Sequence, residues 1–600
     1  MTAPEPPARR WTAASASALA GALALGIAIR LQGLARQVLI GDELHTLNGA
    51  IARPLGEILT TWTWGGADYC VPLTAFFRAI HAMGAPLPEL VLRAPSLAAG
   101  ALAIVAFPLA LRARIGRAPA VALGFLIATS PLLAVYARIV RSYAVVVLLG
   151  GLAVLAFERF WRTRDRRFAA AWAALAPLAC WFHLVMGPFV AAPLAWAAID
   201  LARSPAKRAR ARELAAVAGA AALLLALLLG PAAPSILALT STHRVGEAPS
   251  LATWWDVARM HGGSLAPALT ALFLALGARG GFLLWRRDRA FAGLLACTGV
   301  AHVAGLYAMS PDQLQHGWVL NRYLLPLLPF ELALVALGCT APHALPARAR
   351  RIATPIAAAA LVAALFATGP LAGPRFRAGS FVHSIPSVSF TSEGNRIPRD
   401  RMPPFYQRLA DAPGGRPIVE FPWNNLGSHA FEAYQHWHGR DVLVASMDGA
   451  HGDPSLGLRN VVAATPEAFL ASGAQYVVVH LDLRLEESLV PTSDGHHWRR
   501  LGALGDMWER AQRLGRQMAR LLEQRFGPPA FANDQVRVWD LDAVRAARAG
   551  AARGGARQES SSRMPSPTAT AANTAFSTRG ASRAESSGAS RAPNTAPRST

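Results

Sequence analysis

Asp42-Glu43, an acid pair, stands just past the first apolar stretch of the chain. A carboxylate beside a bilayer is costly unless it faces water, a partner or a substrate, which makes the pair a candidate for a functional site. The same pair could cap a juxtamembrane helix or solvate a loop. Arg138 and Arg141 follow in a run that also holds Tyr136 and Tyr143, and Arg322-Tyr323 opens a late apolar stretch. A planar guanidinium at a membrane edge suits bidentate phosphate binding, although such residues also snorkel to an interface or anchor there. His183 closes another apolar stretch, where a lone histidine can serve either packing or a site.

The elements that must position these groups are apolar. Of the 600 residues, 53% are hydrophobic and 16% charged, with a mean hydropathy of +0.29, a balance outside that of ordinary soluble enzymes. A spanning helix needs roughly 20 mainly apolar residues, and about eleven such stretches precede residue 370. They lie near 12–32, 89–111, 118–135, 140–157, 168–183, 186–202, 213–230, 264–284, 290–308, 322–340 and 352–369. This predicts an α-helical polytopic membrane protein.

Arg9 and Arg10, the turns around Arg112 to Arg117, Arg159 to Arg167, Arg203 to Arg212, Arg286 to Arg289, and Arg348 to Arg351 share one side if the helices alternate. The positive-inside rule makes that side the cytoplasm, so the acid pair and any chemistry face outward. The first apolar run is long and lacks a clear cleavage site, which reads as a retained helix rather than a secretory signal. A formal charge of +23 is spread over short turns and the tail, a pattern for anionic headgroups rather than nucleic acid. Cys70, Cys180, Cys297 and Cys339 show neither a disulfide framework nor metal-ligand spacing.

After about residue 375 the pattern becomes that of a soluble α/β domain. Short β-rich runs at 416–421, 441–446, 476–481 and 535–541 alternate with helical stretches, one opened by Thr465-Pro466-Glu467. A small, mainly parallel sheet is expected, on the outer side because an odd number of spans puts it there. No GxGxxG follows a strand, so no dinucleotide site is expected. His429, Tyr434, His436 and His438 read as an exposed polar surface. The segment from 547 has almost no large apolar residues and is expected to be disordered. The expected division is therefore 1–374, 375–546 and 547–600.

Four segments occur in order: the Asp42-Glu43 pair, ELVLRAPSLAAG at 89–100, SPLLAVYARIVRSYA at 130–144 and NRYLLPLLP at 321–329. Together they resemble the GT-C membrane glycosyltransferases, in particular the glycosyltransferase 39-like branch of bacterial aminoarabinose transferases and protein O-mannosyltransferases. The resemblance covers roughly residues 10–370. It implies inverting transfer of a sugar from a polyprenyl-phosphate donor to a lipid, glycan or protein acceptor, at the outer face of a bacterial inner membrane. A phosphate leaving group departs without protonation, so such a reaction needs one general base and cations to hold the phosphate.

Asp42 matches the family's first-loop acid and is the expected base, with Glu43 positioning it or the acceptor. Tyr136, Arg141 and Tyr143 match the family's run, commonly Y-S-Q-E-A-R-x-Y, and would bind substrate with Arg138, Arg322, Tyr323 and His183. The sequence departs from the pattern at Arg138, in place of glutamine, and Ile139, in place of glutamate. Trp62, Trp64, Asp68, Tyr69, Trp254, Trp255, Asp256, His261, Asp312, Gln313, His316 and Trp318 furnish outer-loop groups for sugar or interface. No DxD-type pair is present there, so no cofactor or catalytic metal is expected. Two other classes stay open: a lipid or glycan transporter, although no broken-helix pair or internal repeat is visible, and an inactive glycan-binding relative.

Overall fold

The computed structural model describes residues 11–561 except 33, 35–41, 63–70, 86, 203–206, 243–246, 265, 312–313, 316, 343, 370, 372–398, 424–433, 436, 447–460 and 483–502. The chain divides into the units Met1–Arg545 and Ala546–Thr600. Of the second, the continuation of the Leu541–Ser561 helix is described.

Each of the eleven apolar stretches is helical. Among the described residues, eight helices are long and apolar enough to cross a membrane: Ala13–Leu31, Glu89–Ile115, Tyr143–Thr163, Lys207–Ala238, Pro267–Arg287, Arg289–Met309, Val319–Gly338 and Arg348–Thr368. Arg117–Thr129 and Met186–Ala202 are shorter apolar helices, and Arg166–Phe182 supplies the remaining stretch. Large apolar side chains such as Leu223, Leu227, Leu237 and Val300 point outward, as they must where the solvent is hydrocarbon. The chain is a polytopic membrane protein.

Without a hydrophobic drive between helices inside lipid, close backbone approach supplies the packing. A Cβ at Gly280 would collide with the Leu334 carbonyl, and one at Gly338 with the Leu276 carbonyl. The Pro267–Arg287 and Leu328–Gly338 helices therefore touch main chain to main chain. At the arginine-rich end, Arg114 bridges Glu158 and Asp288. Asp288 also caps the Arg289–Met309 helix by accepting from the Phe291 amide at 3.0 Å. One carboxylate thus starts a helix and fixes it to two others.

The C-terminal sheet comprises β1 (Ile418–Trp423), β2 (Val442–Ser446), β3 (Val461–Val462), β4 (Tyr476–His480), β5 (Phe531–Ala532) and β6 (Val536–Asp540). Their order is β3-β2-β1-β4-β6-β5. The first four are parallel, with Val419 opposite both Leu443 and Val477. β6 runs antiparallel to β4, and β5 and β6 form a hairpin at that edge. Alternation along the strands separates two cores: Ile418, Val478 and Val538 on one face, Val419, Val477 and Trp539 on the other. Burial on both faces is what a parallel sheet requires. Thr465 caps its helix as its sequence foretells, accepting from the Ala468 amide at 3.2 Å.

One expectation for this region fails. Tyr434 and His438 are fully buried rather than exposed, while His429 and His436 lie outside the described residues. The Tyr434 ring stacks on Tyr406 at 4.2 Å, and the Tyr406 hydroxyl donates to Glu420 at 2.8 Å. His480 Nε2 lies 2.6 Å from the same carboxylate. The Glu420 carboxylate is thus buried with hydrogen-bond partners, as a buried polar group must be.

Candidate active site

Residues 137–142 interrupt the helical course between Pro131–Tyr136 and Tyr143–Thr163. Non-helical backbone at membrane depth must find partners for its N–H and C=O groups inside the protein. Two helices provide them. On Asp42–Ala52, Glu43 Oε1 accepts from the Val140 amide at 2.9 Å. Thr46 Oγ1 donates to the Val140 carbonyl at 3.3 Å. Glu43 and Thr46 are three residues apart, so they share a helix face and hold both polar groups of one residue.

The Glu89–Ile115 helix repeats the arrangement. Arg93 Nε donates to the Arg138 carbonyl at 2.9 Å, and Ser96 Oγ to the Arg141 carbonyl at 2.8 Å. Arg93 Nη2 also lies 3.3 Å from Glu43 Oε2, with both side chains buried. The ion pair links the two clamps, so the carbonyls of Arg138, Val140 and Arg141 are fixed by two helices that are themselves joined. Close packing beneath the segment adds to this: a Cβ at Gly100 would stand 2.5 Å from Ala137 Cβ and 3.3 Å from Arg30 Nε.

The clamp leaves the 137–142 side chains to be directed by packing. Arg138 Nη1 reaches the Ile29 carbonyl at 3.4 Å. Arg30 is held by the carbonyls of Gly26, Ala128 and Ile127 at 3.0, 3.2 and 3.3 Å. Ile139, at the position of the usual glutamate, joins the main apolar core. From the start of the next helix, the Tyr143 ring lies 4.9 Å from Tyr136 and 6.0 Å from His183, whose ring is 5.8 Å from Tyr323. Arg322 Nη1 donates to the Tyr143 hydroxyl at 3.4 Å. His302 Nε2 donates to the Tyr323 carbonyl at 2.7 Å. Arg141, Arg322 and His302 are all close enough to act on His183 electrostatically.

Tyr136, Tyr143, His183, Arg322 and Tyr323, which come from three distant parts of the sequence, are thus brought into one aromatic and cationic group. Glu43, Arg138 and Arg141 belong to the neighbouring clamp. Asp42 begins the same helix as Glu43, but its side chain is outside the described residues. So are Trp64, Asp68, Tyr69, Asp312, Gln313 and His316, and the side chain of Trp318. Trp62 is buried among Ile58, Val71 and Ala232, Trp254 packs with Val257 and Leu306, and Trp255 is exposed. Asp256 pairs with Arg259, and His261 Nδ1 lies 2.6 Å from Glu331. Among the described residues, no three His, Cys, Asp or Glu side chains converge as metal ligands.

Arg30, Arg93, Thr46, Ser96 and His302 are parts of this arrangement that reading for motifs missed. Arg30 carried a usable signal, being an arginine within an otherwise apolar span. Arg93 lay inside the ELVLRAPSLAAG run. Thr46 and Ser96 are ordinary residues whose importance depends on what faces them.

The solved structures include a close architectural counterpart. The crystal structure of ArnT from Cupriavidus metallidurans in the apo state aligns with a TM-score of 0.51 at 12% identity, over 80% of this chain and 96% of that one. The chain has a GT-C glycosyltransferase fold. The archaeal oligosaccharyltransferase AglB from Archaeoglobus fulgidus, in complex with an inhibitory peptide and a dolichol-phosphate, aligns with a TM-score of 0.40 at 15% identity, over 84% of this chain and 72% of that one. No protein-family model and no curated protein matches the sequence. In this GT-C chain buried guanidinium groups gather at the site. Arg30, Arg93, Arg138 and Arg141 are buried around the 137–142 segment, and Glu43 is buried among them. Planar guanidinium forks match phosphate oxygens, so such a cluster suits an anionic ligand.

Proposed function

We propose that the protein is an inverting membrane glycosyltransferase that moves a sugar from a polyprenyl-phosphate donor to a lipid, glycan or protein acceptor at the outer face of a bacterial inner membrane. The observation that carries this reading is the cluster of buried arginines around the clamped 137–142 segment, next to the helix that begins at Asp42. Arg141, Arg138 and Arg322 bind the donor phosphate in this scheme. Tyr136, Tyr143, Tyr323 and His183 shape the surrounding wall. The expected division into a catalytic part at 1–374, an outer domain at 375–546 and a tail at 547–600 belongs to the same proposal.

The Asp42 carboxylate takes the proton from the acceptor hydroxyl as its oxygen attacks the anomeric carbon. The bond from that carbon to the phosphate oxygen breaks, and polyprenyl phosphate leaves with the electron pair, stabilised by guanidinium groups already in place. One displacement inverts the anomeric centre. The proton on Asp42 then passes to water. Glu43 is occupied by Arg93 and the Val140 amide, which suits it to positioning rather than to proton transfer.

The test is an assay of purified protein in nanodiscs with radiolabelled polyprenyl-phosphate sugars, comparing wild type with Asp42→Asn. Transfer of label in the wild type and its loss in the folded variant are expected. A variant as active as wild type would overturn the assignment of the base, and no turnover of any donor would overturn the activity.

A further inference from the structure

A cavity of about 650 Å³ lies far from the candidate active site, between the Pro267–Arg287, Leu328–Gly338 and Ala347–Thr368 helices. Its walls include Leu272, Leu276, Ala357, Leu361 and Ala364, and the charged group among its lining residues is Arg279. Its floor includes the close approach of Gly338 to the Leu276 carbonyl, both lining residues, so that part of the space is set by backbone rather than by a movable side chain. The Arg279 guanidinium donates to the Gly338 carbonyl, which places it against that floor.

Arg279 lies seven residues before Arg286, or ~10 Å along a helix. The hydrocarbon core is ~30 Å thick, which puts Arg279 in the leaflet at the arginine-rich end of the bundle. The adjoining ends of these helices carry Arg286, Arg287, Arg348, Arg350 and Arg351. Among the described residues, no acid lines the cavity. A volume of this size is ample for a small molecule or a chain segment, since ligand pockets run to roughly 300–1,000 Å³. Apolar walls, a guanidinium among the lining residues and arginines at the adjoining helix ends match a molecule with hydrocarbon chains and an anionic head.

We infer that this cavity binds an anionic phospholipid of the leaflet at the arginine-rich end, its phosphate toward Arg279 and its chains along Ala357, Leu361 and Ala364. The lipid fills the gap beside the Ala347–Thr368 helix and ties that helix to the bundle. This role is independent of the proposed sugar transfer.

The test uses the full chain in neutral detergent, adding phosphatidylglycerol, phosphatidylcholine or a polyprenyl phosphate, with bound lipid counted by native mass spectrometry and Tm followed. Phosphatidylglycerol is expected to be retained and to raise the Tm by several degrees, with phosphatidylcholine doing neither. Arg279→Gln should remove the preference for phosphatidylglycerol. Ala357→Trp, which fills the cavity and keeps the charge, should abolish retention while leaving the response to polyprenyl phosphate unchanged. Equal effects of the two phospholipids on wild type, or an unaltered response to phosphatidylglycerol in Ala357→Trp, would overturn the proposal. So would loss of the polyprenyl phosphate response, in place of the phosphatidylglycerol response, in that variant.

Discussion

Glu43 and Arg93 face each other at 3.3 Å, both buried, and each also holds the backbone of the segment between them: Glu43 the amide of Val140, Arg93 the carbonyl of Arg138. The pair is therefore a fastening for a stretch of chain that departs from the helical course on either side. Removing one partner leaves a buried charge and an unsatisfied backbone group together. Glu43→Ala is expected to destabilise the protein by ~3–5 kcal/mol, the usual cost of breaking a buried pair from one side. Arg93→Met should cost a similar amount, and the double variant less than the sum. Thermal unfolding in detergent of the three variants checks this.

The acid pair should divide its labour by measurable criteria. Asp42→Asn is expected to abolish sugar transfer with the Tm of wild type, whereas Glu43→Gln lowers both activity and Tm. Side-by-side turnover and unfolding measurements decide it. Equal Tm losses in the two variants would contradict the division.

Arg141→Lys keeps the charge and removes the bidentate fork. Losing one charge-assisted hydrogen bond, worth ~1.5–3 kcal/mol, should weaken donor binding by about 10–100-fold. The Arg141 carbonyl still accepts from Ser96, so the Tm should hold. Donor affinity by titration and the Tm together separate a phosphate contact from a packing role.

Gly100→Ala sets a methyl group against Ala137 Cβ, a contact of 2.5 Å with no flexible side chain to yield. The 137–142 segment must shift, at a cost of ~1–3 kcal/mol. Reduced activity with a lowered Tm is expected, while Gly219→Ala, which meets nothing within 4 Å, serves as a control with neither effect.

In the C-terminal sheet region, burial first, then the nearby Arg440 charge, lowers the His438 pKa from 6.5 to about 4. Its Nδ1 accepts from the Arg440 amide at 3.1 Å, a bond that only the neutral ring can make. The folded state stays unprotonated where the unfolded chain takes up a proton, so stability is full above about pH 6.5 and falls as the pH drops toward 4. Chemical unfolding followed across that window should show the decline, reaching about 3 kcal/mol, and His438→Gln should flatten it.

Much of the fold was readable because it is local. An apolar run declares itself by composition: all eleven stretches are helical, and eight of the described helices are long and apolar enough to cross a membrane. The four longer strands were found by short β-rich runs, and the Thr465 cap by residue type alone. β3 and β5, two residues each, gave no such signal, since pairs that short form only where a neighbouring strand offers an edge. The burial of Tyr434 and His438 was misjudged for a related reason: a mixed helical face looks solvated until the Tyr406 and Glu420 groups it covers are known.

At the candidate site the same boundary recurs in sharper form. The sequence by itself determined that acids, arginines and tyrosines would gather at one end of an apolar bundle, because span lengths and the side on which arginines fall fix depth and orientation. It could not say that Glu43 would be held by Arg93 from 50 positions away, or that Arg30 would anchor to Ala128 across 98. Those pairings depend on how each helix is rotated about its axis and how deep it sits. Rotation and depth are set by close contacts such as Gly100 on Ala137, which exist only once the helices have packed.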